Sequence, residues 1–265
     1  LIEYKYNEKK YAEEIFKKGF LTDYHLYELK ILVKYFKSLG KKPKERKELI
    51  YQFCEKKVQD FNRVKYFKKI NSALSYGSKK EAQLIIIERI QVTDSEIEYI
   101  NNLDLDEIHK KVLFSLLVQN KIIKEISNIK YGNSSDYNFF GGKNRYYKEI
   151  HQISKIPAKY KIHNIINDLS NAGLIEVRYR GRINLLFVEQ IPISNKIVME
   201  IDTFDNIGHW FSWYNGDKKI IKCDECGKLI KQTSNRRQYC HICWKEKQLE
   251  WQRESWHKNK NKYKY

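Results

Sequence analysis

Asn167-Asp168-Leu169-Ser170-Asn171-Ala172-Gly173-Leu174-Ile175 is where one hydrophobic period gives way to another. Upstream of it Ile162, Ile165, Ile166 and Leu169 recur at helical spacing, which predicts a helix from Pro157 to Asn171 with proline in its first turn. Gly173 supplies the helix stop. Downstream, Leu174 to Arg180 and Arg182 to Val188 are β-like runs on either side of Gly181, and they predict a hairpin. Working backwards, Ser154 to Pro157 reads as a tight connection and Tyr146 to Ile153 as a short helix. A longer helix is expected from Asp106 to about Ile126, and residues 130–145 read as an irregular insertion.

Helix, loop, helix, helix and hairpin in that order resemble a winged helix-turn-helix domain, and the step from Leu169 through Gly173 into Leu174-Ile175 is the phrase that carries the resemblance. It covers roughly a third of the chain. The resemblance implies that the helix ending at Asn171 enters a major groove and that the hairpin acts as a wing. Lys159, Tyr160, Lys161, His163, Asn164 and Asn167 are then the candidates for base or phosphate contact, and helical pitch favours Lys159, Asn164 and Asn167. The wing offers Arg178, Arg180 and Arg182, which share one face if the turn permits. A winged helix used for protein contacts stays open as the alternative.

The strongest chemical signal lies further on. Cys223, Cys226, Cys240 and Cys243 form two CxxC pairs, the spacing of a closed tetrahedral zinc site with no vacancy for water. One structural Zn2+ is expected there. Gly227 allows the tight backbone of a knuckle, Leu229 to Gln238 are read as a short hairpin, and Cys240 and Cys243 open a long charged helix. Together they resemble a treble-clef zinc finger, and also the small zinc modules at the ends of proteins from phages and mobile elements of low-GC bacteria. Nucleases of the HNH type share that scaffold, but the predicted hairpin, with Lys231, Gln232, Thr233 and Asn235, offers no histidine. Arg236 and Arg237 belong to the expected nucleic-acid surface. Asp202, Asp205 and His209 match no metal spacing and are read as turn or capping residues.

The first hundred residues are expected to form a basic helical bundle. Its helices start near Thr22-Asp23, Pro43 and Arg63, the third burying Val64, Phe67, Ile70 and Leu74. Gln83 to Ile90 reads as one buried strand, and Thr93-Asp94-Ser95-Glu96 as a capping box. Cys54 sits in a helical apolar run and is assigned to the core. Phe204, Trp210, Phe211, Trp213 and Tyr214 are read as a packing layer, with base stacking as the alternative. In the C-terminal helix Trp244 and Trp251, like Leu249 and Trp256, lie seven residues apart.

The fold class expected is therefore mainly α with small β elements: a helical domain (1–100), a winged helix (101–192), an aromatic connector (193–222) and a four-cysteine zinc module with a basic helical tail (223–265). A formal charge of +18 calls for a polyanionic partner. Residues 30–80 hold 16 Lys or Arg against four acids, so the N-terminal part is basic in its own right. Double-stranded DNA is the partner expected first, a host protein or ribonucleoprotein the alternative, and a membrane is not expected; oligomeric state is left open. A cytoplasmic location is the expectation, from the missing long apolar run and signal-peptide pattern. With no P-loop, nucleophile elbow, convincing carboxylate pair or open metal site, no enzymatic activity is assigned. The function expected is sequence-selective DNA binding in transcription control or replication initiation of a mobile element, with an inhibitor or adaptor next and an HNH-like nuclease last.

Overall fold

The computed structural model of the chain describes residues 6–132, 139–141, 144–234 and 237–262. Among the described residues helices dominate, with three small sheets, so the fold is mainly α with small β elements. Two compact units form: Leu1–Ile90 with Gln119–Asn138, and Gln91–Val118 with Phe139–Tyr265.

In the first unit α1 (Glu8–Lys18), α2 (His25–Ser38), α3 (Pro43–Lys57) and α4 (Arg63–Gly77) pack with α2 touching each of the others. The apolar pattern predicts three helices, and α1 is additional. It starts because the Asn7 side chain accepts the Lys10 N–H at 3.0 Å, and it buries Tyr11, Ala12 and Ile15. The Thr22-Asp23 cap is replaced by a larger device. Thr22 Oγ1 accepts the Tyr24 N–H (3.1 Å), and the fully buried Glu28 carboxylate accepts from the Thr22 hydroxyl (2.7 Å), the Tyr11 hydroxyl (2.8 Å) and the Leu21 N–H (2.9 Å). Glu8 and Lys34 form a buried ion pair, and Glu8 also accepts the Ile85 N–H at 2.8 Å. Cys54 is fully buried and its thiol is pushed up to about 12 by that burial, as a core residue requires.

The expected burial of Val64 and Phe67 is wrong. On α4 the inward stripe is Tyr66, Ile70, Ala73 and Gly77, and Val64 and Phe67 are 85% and 58% exposed. The small residues decide this: a Cβ on Gly77 would overlap Val33 Cγ1, so α2 and α4 approach where Ala73 and Gly77 leave room. Nor does Gln83 to Ile90 form a buried strand. It runs extended along the start of α1, with Ile87 N–H to Tyr6 O at 2.8 Å and Glu8 N–H to Ile85 O at 2.9 Å, and β1 (Ile90–Thr93) begins only at its end.

In the second unit β1 pairs with β5 (Ile197–Ile201). The capping box is present: Glu96 accepts the Thr93 N–H at 2.8 Å where α5 (Asp94–Asn102) begins. α6 (Glu107–Tyr131) runs longer than expected, and Val112 to Val118, apart from Ser115, form a buried apolar block on it. Next come β2 (Phe139–Gly141), α7 (Asn144–Ile153), α8 (Ile162–Asn171), β3 (Ile175–Arg178) and β4 (Arg182–Leu185), the three strands forming an antiparallel sheet in the order β2-β4-β3. Within 130–145, read as irregular, β2 is regular through three backbone pairings to Arg182–Asn184, which need no hydrophobic period of their own; residues 133–138 and 142–143 lie outside the described residues.

The α8 start is also corrected. Residues 157–160 close a turn of their own, Tyr160 N–H to Pro157 O at 3.0 Å, and His151 Nε2 lies 3.2 Å from the Tyr160 carbonyl, so helix begins only at Ile162. Its end is as read: Gly173 has φ +71°, Leu174 N–H reaches Leu169 O (3.1 Å) and Gly173 N–H reaches Ser170 O (3.0 Å), a Schellman motif.

α9 (Ile207–Tyr214) lies against β6 (Ile220–Lys222) and β7 (Leu229–Lys231), and its Phe211 ring packs 5.3 Å from that of Phe114 on α6. Trp210 and Phe211 are buried, Trp213 and Tyr214 part-exposed, so the aromatic cluster supplies packing. α10 (His241–Lys262) ends the described chain. Among the described residues no helix is long and apolar enough to cross a membrane. A Cβ on Gly208 would overlap the backbone of Ser154 at the end of α7. Gly208→Ala is therefore expected to cost about 1–3 kcal/mol, measured by urea unfolding followed by far-ultraviolet circular dichroism.

Candidate metal centre and basic surface

β6 and β7 are short apolar triplets, each ending in lysine, paired in the register Ile220↔Lys231, Ile221↔Ile230 and Lys222↔Leu229, and the six residues between them form the first knuckle. The hairpin expected within Leu229 to Gln238 is thus replaced by one in which Leu229–Lys231 pairs backwards across the knuckle. Cys223 N–H to Lys228 O (2.9 Å) and Gly227 N–H to Cys223 O (2.8 Å) close that loop, and Gly227 takes φ +70°, where a Cβ would be strained. Asp224 N–H to Gln238 O (3.1 Å) draws in the second segment, whose Cys240 precedes α10 and whose Cys243 lies in its first turn.

All four sulphurs lie within 4.8 Å of one another, with Cys226 Sγ 3.8 Å from Cys240 Sγ. Four sulphurs held about 2.3 Å from one ion in a tetrahedron stand about 3.8 Å apart, so the donor set fits a metal ion. Backbone N–H groups already point at sulphur: Cys240 N–H to Cys223 Sγ at 3.2 Å and Cys243 N–H to Cys240 Sγ at 3.5 Å. Burial raises the Cys223 thiol, but the N–H groups of Cys226, Cys240 and Glu225 outweigh it and bring it down to about 7. Burial and neighbouring sulphurs push Cys243 the other way, a direction that a bound cation would reverse. Among the described residues this is the one cluster of metal-ligand side chains. Asp205 instead pairs with Lys228 at 2.5 Å, and His209 sits on α9 with Nδ1 buried and unpartnered.

On α8 the buried stripe is Ile162, Ile165, Ile166 and Leu169, which leaves His163, Asn164, Asn167 and Asp168 outward. Lys159 falls in the turn and Lys161 at the N-cap, both exposed, so helical pitch does not govern their direction. Arg178 and Arg182 are directly paired across β3 and β4, and Arg180, at φ 60°, occupies the turn between them; with Tyr179 the three line one shallow concavity. Arg178 is held by Glu176 at 2.7 Å. Arg237 donates to Thr233 Oγ1 at 3.3 Å; Arg236 lies outside the described residues.

Two positioning groups escaped the sequence pattern. Tyr147 of α7 donates to Gly181 O in the wing turn (3.2 Å) and its ring meets that of His163 at 4.8 Å, so one buried side chain spans wing and α8. His109 places Nδ1 2.7 Å from Asp106 and Nε2 3.3 Å from Asp168 on α8. Its Asp106 contact, three residues apart in a helix start, has a local signal; the other partners are distant in sequence and have none. Burial opposes charging of His109, but the two carboxylates outweigh it and raise its pKa.

No family model, curated protein or solved structure matches the chain.

The two histidines have opposite pH signatures. Burial, then Lys155, Lys111 and Lys231, bring His209 down to about 4, so in the window between its ordinary value and about 4 the unfolded chain binds the extra proton and stability falls as pH falls. For His109, raised in the fold, the contribution is full below its ordinary value and is lost as pH rises through the folded one. Urea midpoints of wild type and His209→Gln are expected to converge, or cross, on moving from pH 7.5 to 4.5, because only wild type carries the acid penalty.

Proposed function

We propose that this chain is a sequence-selective DNA-binding protein in which α8 and the β3–β4 hairpin form the reading head of a winged helix. The observation that carries the reading is the outward placement of Asn164 and Asn167 on α8 beside an arginine-rich hairpin, the two bridged by Tyr147. Helix α6, strand β2, helices α7 and α8, then two strands in the sheet order β2-β4-β3 support the winged-helix assignment. Asparagine can bond adenine through two atoms at once, while Arg178, Arg180 and Arg182 suit phosphate or a narrow minor groove. Lys159, Lys161, Arg236 and Arg237 add phosphate contacts in this reading, and the +18 charge supplies the long-range attraction.

The metal is zinc in this reading. Four soft thiolates around a closed site favour it, and the ion acts as a structural staple in a treble-clef-like module, holding the knuckle to the start of α10. Its place in biology would be transcription control or replication initiation of a bacterial mobile element, in a bacterial cytoplasm.

Two results are expected. Elemental analysis of the purified chain finds one zinc per molecule, and Cys226→Ser reduces that and lowers the thermal midpoint. In fluorescence anisotropy with a selected duplex, affinity falls steeply with salt, and Asn164→Ala with Asn167→Ala costs about 1–3 kcal/mol for each base no longer read. The Arg178→Ala, Arg180→Ala double variant flattens the salt slope by about one unit per phosphate contact removed. Unchanged specificity in the asparagine variant would remove α8 from the reading role.

A further inference from the structure

The first unit leaves an apolar pair outside its core on a strongly basic face. Val64 and Phe67, one turn apart on α4, stand out of the buried stripe and line an open groove of about 860 Å³ between α3 and α4 with Tyr51, the cations Lys44, Lys47 and Arg63, and the carboxylates Glu48 and Glu55. The two helices carry nine Lys or Arg against three Glu, and α4 has no acid at all. Arg63 is held over the Tyr51 ring (5.4 Å) and donates to Glu55 (2.5 Å), while Lys44 and Lys47 make no ion pair among the described residues.

We propose that this groove binds single-stranded nucleic acid. Lys44, Lys47 and Arg63 outnumber Glu48 and Glu55 around the groove, and that excess, on helices that are basic along their length, matches a phosphate chain. A duplex would satisfy the charge but hide its base faces, leaving Val64 and Phe67 in water. An unpaired strand brings phosphates for Lys44 and Lys47 and a base face for the Phe67 ring in the same footprint. Arg63, already stacked on Tyr51, exchanges Glu55 for a phosphate without leaving the ring. The site belongs to the first unit alone and does not depend on how α8 is used.

The test uses the full chain and three fluorescent probes: a 15-nucleotide thymidine strand, a 15-base-pair duplex, and an acidic amphipathic peptide. Phe67→Ala is expected to weaken the single strand by about five- to a hundredfold and Lys44→Ala with Lys47→Ala to flatten its salt dependence, with duplex affinity and thermal midpoint unchanged. Phe67→Trp restores single-strand binding. Asn164→Ala with Asn167→Ala affects the duplex and not the strand, which separates this site from the α8 reading. Single-strand affinity unchanged by Phe67→Ala, or lost in parallel with duplex affinity, overturns the proposal. So does a peptide whose binding alone depends on Phe67, which would assign the groove to a helical protein partner.

Discussion

Four cysteine sulphurs gathered within 4.8 Å cannot all ionise unless a cation sits among them, and the C-terminal part of the second unit is built on that constraint. Between Lys222 and Leu229 the chain reverses tightly enough to bring Cys223 and Cys226 together, and Gly227 accepts the backbone this needs. Main-chain hydrogen bonds then carry the second cysteine pair to the same point, at the start of a helix whose N-terminal N–H groups favour negative sulphur. The hairpin so fixed is the surface on which α9 lies, and α9 in turn sets Phe211 against Phe114 of α6. A metal ion held by these four sulphurs would thereby brace the hairpin on which α9 packs.

Those helices and hairpin are tied to each other by polar groups of few residues. Tyr147 joins the wing turn to α8, and His109 joins the start of α6 to Asp168 on the same helix. Both contacts reach the exposed side of α8, where Asn164 and Asn167 stand. A helix that reads base edges, as we propose for α8, would need such fixation, because a bidentate contact to a base edge tolerates little drift. In that reading Asp168 beside those asparagines would repel a phosphate, and its contact with His109 would lessen the repulsion.

Local chemistry is readable in the sequence wherever a few neighbouring residues decide the outcome. The Cys spacing, the Thr93–Glu96 capping box, the Gly173 stop and the Arg178–Arg182 hairpin all belong to this class. Misreadings arise where a distant partner decides. Val64 and Phe67 fit a helical stripe as well as Tyr66 and Ile70 do, but Ala73 and Gly77 let α2 approach on the other side. Pro157 is compatible with a helix start, and the Tyr160 carbonyl's contact with His151 favours a turn. Leu229–Lys231 has strand propensity in either direction, and the closed knuckle selects the backward pairing. β2 is three residues long, too short to show any period.

If α8 and its wing read DNA sequence, as we propose, the nucleic acid that co-purifies with the intact chain carries the record, and sequencing it is the decisive measurement. Double-stranded DNA enriched in one short motif is expected, with the enrichment gone when Asn164 and Asn167 are both alanine. Recovery of structured RNA, or of DNA with no preferred sequence from wild type and variant alike, would contradict it.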